Sequence, residues 1–228
     1  MRRGSERLYD SVMKRIICTA LLCLLTCPLP AQTSSTLPNS LVWKPMRILK
    51  SEAVPKGTVF RLMVKALRIT DLNVELEKTN MNQVRERFGG TFGTQGDAGD
   101  YLEWLCLSGR DVAGRWVLWL ESGEMDAGTV GSFQWRRVPK DARFDARCGT
   151  LSETDTVKLT IPLHPSMSES QLISALGQPT VRNGNTLLYV YEHDEVSKNG
   201  PFTVLNTVSI VLRDGAVWAI EVLKVSMS

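Results

Sequence analysis

The feature that most restricts how this chain can fold is a stretch that occurs twice. "QLISALGQPTVRNGNTLLYVYE" runs from Gln171 to Glu192, and a diverged copy, "QVRERFGGTFGTQGDAGDYLEW", runs from Gln83 to Trp104. A shift of 88 residues pairs Asn80 with Ser168, Gln83 with Gln171, Val84 with Leu172, Phe88 with Leu176, Gly89 with Gly177 and Tyr101 with Tyr189. Upstream, a shift of 87 pairs Leu72, Val74 and Leu76 with Leu159, Ile161 and Leu163. A chain made of two copies of one unit repeats one set of local folding rules.

Those rules specify a short helix at both ends. Asn80 and Ser168 are N-cap residues whose side chains accept from free amides of the first turn, and Gln83 and Gln171, three residues on, have the spacing of a capping box. Gly89 and Gly177 stand where a positive φ closes the last turn. Val84 with Phe88, and Leu172 with Leu176, supply one buried stripe. After each helix the apolar period drops to 2. In the second copy Thr186 to Glu192, Val204 to Arg213 and Ala216 to Lys224 read as strands, with a tight turn at Arg213-Asp214-Gly215. In the first copy the strands are Tyr101 to Leu107, Arg115 to Glu121 and Val130 to Arg137. Ahead of the repeats, Arg61, Lys65 and Arg68 recur opposite Val59, Leu62, Met63, Ala66 and Leu67, a pattern that predicts an amphipathic helix over Val59 to Arg68.

The expected fold class is therefore α+β: two tandem units, each a short capped helix packed on a small antiparallel β-sheet. Residues 59–150 form the first unit and residues 151–228 the second. "LHPSMSESQLISALGQP", followed by a Tyr-rich hairpin and "VLRDGAVWAI", resembles the superfamily of BamE-like (SmpA/OmlA) lipoproteins and β-lactamase inhibitory proteins. The tandem arrangement is more similar to the inhibitory proteins, and the likeness extends over about residues 72–225. It implies helices packed on short antiparallel sheets and a role in binding other proteins.

The first residues predict export. Met13-Lys14-Arg15 precedes an apolar run from Ile16 to Leu25, then Pro28, Pro30 and Ala31, which is the layout of a signal peptide over residues 1–31. The run is shorter than the roughly 20 residues that a membrane-spanning helix needs. Leu24-Leu25-Thr26-Cys27 approaches a lipidation motif, so a membrane enters only if Cys27 is lipidated. Residues 32–58 read as a polar linker and an irregular lead-in. The leader holds five of the 27 Lys and Arg and two of the 24 Asp and Glu, which leaves 22 of each and a formally neutral remainder. Nucleic acid is not an expected partner, because the long-range positive field for phosphate is missing. Beyond the leader only Cys106 and Cys148 remain. An even pair in an exported chain predicts one disulfide, against the alternative of two separate buried thiols.

The sequence offers little chemistry. His164 and His193 are the two histidines, and neither Glu192-His193-Asp194-Glu195 nor any Cys pattern has transition-metal ligand spacing. "FGGTFGTQGDAG" lacks the Gly-Lys-Ser/Thr of a phosphate loop and follows a helix instead of opening one. Arg136, Arg137, Lys140, Arg143 and Arg147 are interrupted by Asp141 and Asp145, as on a solvated face. No catalytic residue, metal or cofactor is expected. If the helices cover the Trp104 and Val190 faces, then Tyr101, Glu103, Trp119, Tyr189 and Tyr191 project from the opposite face, with the composition of a protein interface. The expected function is an exported, periplasmic or secreted module that binds another protein of the cell envelope or extracellular space through its sheet faces. The alternative is a small exported hydrolase or ligand-binding protein.

Overall fold

A computed structural model describes residues 42, 44–46, 48, 62–97, 99–198 and 200–227. The expected signal peptide and most of the linker lie outside the described residues. Among these, no helix is long and apolar enough to cross a membrane.

Both predicted helices form with their N-cap residues, but the expected capping box closes only in the second. Helix α1 (Met81–Phe88) starts at Asn80, whose side chain accepts from the Asn82 amide at 2.8 Å. Helix α2 (Glu169–Leu176) starts at Ser168 with a full capping box: the Gln171 amide donates to Ser168 Oγ, and the Ser168 amide donates back to Gln171 Oε1 at 2.9 Å. Gly89 and Gly177 close the helices at φ of 74° and 83°.

The helix expected over Val59 to Arg68 does not form among the described residues. Leu62 to Lys65 adopt no regular structure, and β1 (Ala66–Ile69) follows. β1 pairs on one side with β2 (Leu72–Glu75) and on the other with β8 (Val157–Leu159). Leu67 and Ile69 are buried while Arg68 is exposed. Two flanking partners satisfy this backbone, and the local amphipathic preference is too weak to compete with them.

The remaining strands are β3 (Phe92–Gln95), β4 (Leu102–Asp111), β5 (Gly114–Gly123), β6 (Ser132–Arg137), β7 (Gly149–Thr150), β9 (Val181–Asn183), β10 (Thr186–Ser197), β11 (Gly200–Arg213) and β12 (Ala216–Met227). They build one nine-stranded sheet in the order β3-β4-β5-β6-β12-β11-β10-β9, with β7 alongside β4. This corrects the expected fold class. The chain is mostly β, and the two copies do not carry separate small sheets. The last strand of each copy pairs antiparallel with the other, from Ala219 opposite Arg136 to Leu223 opposite Ser132. Each copy alone would leave that strand with an unpaired backbone edge, and pairing the two removes both edges at once. The small sheet β2-β1-β8 and both helices pack over one face of the large sheet. Val84, Leu172, Leu67 and Val74 join Leu105, Leu118, Phe133, Tyr189, Ile220 and Val222 in a single core.

The β11–β12 turn has Asp214 and Gly215 at φ of 53° and 75°, the left-handed pair a two-residue hairpin requires. Gly93 lies opposite Trp104 in the β3–β4 ladder, where an added Cβ would come within 2.3 Å of the indole. The indole therefore lies over bare backbone at this edge of the sheet.

Candidate functional site

The helix-covered face is the reverse of the one expected. The helices cover Leu105, Leu107, Leu187 and Tyr189, while Trp104, Cys106, Val117 and Trp119 form a second cluster on the other face. Trp119 and Tyr189 are completely buried, on opposite faces. Tyr191 is half-buried and packs against the main core, Glu103 is half-buried, and Tyr101 is 39% exposed. The five predicted binding residues are thus not brought together. Sequence alternation fixes which residues share a face within a strand, but it does not say which faces of successive strands coincide.

Tyr101 and Tyr189 also differ in place. β3 and β4 are separated by Gly96 to Tyr101, whereas only Gly184 and Asn185 separate β9 from β10. The longer connection moves Tyr101 ahead of β4, and the core positions of that strand fall to Leu105 and Leu107. In the second copy the Tyr189 hydroxyl donates to the carbonyl of Gly177 at 3.2 Å, tying β10 to the end of α2. Burial, reinforced by the Glu169 carboxylate, raises the Tyr189 pKa to about 12.

The helix-free face has an unusual polar centre. Direct cross-strand pairing places Cys106, Trp119, Gln134, Glu221, Ser209 and Leu188 in one row. Gln134, Glu221 and Ser209 are buried there. Part of their cover is the segment around Met46. The Met46 amide donates to Gln134 Oε1 at 3.1 Å and the Ile48 amide to Glu221 Oε2 at 2.7 Å. Val42 anchors the same segment by exchanging backbone hydrogen bonds with Arg143 and Asp145. This contact is long-range in sequence, and the row itself gave the only signal, through polar residues at strand positions that should be apolar on one face.

Beside the row lies Arg136, held between two indoles, with Cζ 5.0 Å from the Trp119 ring centre and 5.5 Å from that of Trp218. Trp218 reaches this face because the β11–β12 ladder shifts register between Val211 and Leu212, so that Val211 faces Ala219 and Leu212 faces Val217. The bulge re-aims an otherwise inward position outward. Burial lowers the Arg136 pKa from its usual value.

The rest of the basic cluster is ordinary. Arg137 makes a bidentate pair with Asp111 at 2.6 and 2.8 Å, and Arg147 pairs with Asp145, whose pKa its hydrogen bonds hold down at about 2. Glu192, His193 and Asp194 are exposed along β10. Among the described residues no three His, Cys, Asp or Glu side chains cluster as metal ligands. Cys106 and Cys148 are joined by a disulfide across 42 residues.

Four of the seven large exposed apolar side chains among the described residues lie towards one end of the large sheet. Tyr101 precedes β4, Met125 (93% exposed) lies in the turn Glu124–Asp126 between β5 and β6, Val196 (86%) is near the β10–β11 tip, and Met227 ends β12. The pairing of Leu102 with Gly123, and of Leu223 with Ser132, shows that these positions share one end of the strands. Val112, at the β4–β5 tip, lies at the opposite end. No family model, curated protein or solved structure matches the chain.

Proposed function

We propose that the protein is an exported interaction module, without enzymatic activity, that holds another protein of the cell envelope or extracellular space at the Tyr101 end of its large sheet. The observation that carries this reading is the grouping of Tyr101, Met125, Val196 and Met227 at that end. Five inter-strand steps separate β4 from β10, so these residues spread over about 24 Å across the strands, with Val196 further along its strand than Tyr101. That is the scale of one side of a standard protein interface, and grouped exposed apolar residues mark such surfaces. The leader-like first residues and the disulfide support the extracytoplasmic part of the reading.

The test is site-specific photo-crosslinking in the native host. A photoreactive residue at Met125 or Val196 should capture one and the same protein, and a residue at Val112 should not. Tyr101→Ala should weaken that capture by about tenfold or more, while changing stability by less than about 0.5 kcal/mol. Equal capture from Val112, or none from Met125 and Val196, overturns the reading.

A further inference from the structure

The second feature on the helix-free face is a cleft of about 150 Å³ whose lining includes Met46, Gln134, Arg136, Thr186 and Trp218. We propose that this cleft is a binding site for a small carboxylate with a flat apolar body, of the size of benzoate. It lies near the start of β12 and the end of β6, away from the Tyr101 end, so the inference does not depend on the protein-binding reading.

Two buried donors lack acceptors. Gln134 is 3% exposed, and its Nε2 has no hydrogen-bond partner; the Met46 amide fixes the side chain by donating to Oε1. Arg136 Nε is also buried without a partner. The Arg136 guanidinium makes no ion pair among the described residues, and its Nη1 donates only to Met46 Sδ, a weak acceptor. Arg136 as a whole is half-buried, but a donor atom shut off from water without an acceptor is costly, because its lost hydration is not replaced. Both unmet groups are donors, so the missing partner is an acceptor. A carboxylate has two oxygens in one plane, matching the fork of a guanidinium, whereas an alcohol or amide brings donors of its own.

Size and shape select the body of the ligand. A cavity of about 150 Å³ accommodates a benzene ring. The cleft has an aromatic wall in Trp218, placed there by the bulge, and Arg213 Cζ lies 5.9 Å from the same ring, adding positive charge nearby. Glu221 lies in the same cross-strand row as Gln134, and its Oε2 accepts from the Ile48 amide. Met46, which lines the cleft, is 59% exposed.

Sodium benzoate is the probe, titrated into the whole chain at constant ionic strength by calorimetry and by the indole N–H resonances. One equivalent should bind and shift the Trp218 signal, and benzyl alcohol, of similar shape and uncharged, should bind at least about tenfold more weakly. Arg136→Met keeps an unbranched apolar stem but removes the guanidinium that lies over both indoles; it should lower benzoate affinity by at least about tenfold in protein with an unchanged far-ultraviolet circular dichroism spectrum. Gln134→Leu should also weaken binding. Absence of a Trp218 shift in folded wild-type protein, equal binding of benzyl alcohol, or unchanged affinity in Arg136→Met each overturns the proposal. Displacement of benzoate by sulfate at equal affinity also overturns it, by making the cleft a general anion site. The wild-type comparison of benzoate with benzyl alcohol decides the matter even if neither variant folds.

Discussion

Tyr189 shows how much one side chain does in the second copy. Its ring lies in the core shared by both copies, while its hydroxyl holds the carbonyl at the close of α2. Desolvation favours the neutral phenol, so the folded-state pKa, about 12, stands above the ordinary value near 10. The sign follows from linkage. Below pH 10 the hydroxyl is protonated in folded and unfolded chains alike, and its contribution is fully present. As pH rises from about 10 towards 12 the unfolded chain releases the proton first, and the contribution is lost. Tyr189→Phe should cost about 1 kcal/mol at neutral pH, the net worth of one hydrogen bond. The gap between wild type and Tyr189→Phe should narrow or reverse as pH passes 10, measured as urea midpoints. A gap that stays constant up to pH 12 would show that the phenol does not ionise differently on folding.

At the scale of elements, legibility depended on how local the determining contact is. The capping box of Ser168 and Gln171 and the Asp214-Gly215 turn involve neighbours in sequence, and both formed as the residue types required. The face of the sheet was not legible, because β5 is buried continuously from Trp116 to Ser122 and alternation loses its contrast when both faces are covered. One cover is the helix layer. The other includes the segment from Val138 to Cys148, which packs Val138, Ala142 and Phe144 on Trp119 and Val117. The Cys106–Cys148 bond fixes that second cover to β4, and β7 then runs parallel to the same strand. Closing a loop of this length stabilises by about 4 kcal/mol on the chain-entropy account. Replacing both cysteines by Ala should lower unfolding free energy by about that amount, read from urea denaturation. The tryptophan emission of the variant should also shift to the red at lower urea than in wild type, as Trp119 loses its cover. A variant as stable as wild type would mean that the strand contacts alone hold the segment in place.

At the scale of the whole molecule, the two halves of the chain form one body. The five residue pairs joining β6 to β12 are backbone contacts, and the core beneath them mixes residues of both halves, Phe133 and Trp135 with Ile220 and Val222. Neither half can keep its share of that core dry without the other. Independent units would each bury a small core of their own, and domains that small are marginal. A shared sheet instead predicts a single cooperative transition. The six tryptophans make this testable because they are unevenly distributed: Trp43 precedes both halves, Trp104, Trp116, Trp119 and Trp135 belong to the first half and Trp218 to the second. Fluorescence therefore reports mostly on the first half, whereas far-ultraviolet circular dichroism reports on strands of both. The two probes should give superimposable urea curves, and a fragment of residues 151–228 expressed alone should show no cooperative transition. Separate midpoints, or a folded fragment, would mean that the β6–β12 pairing joins two units already stable by themselves.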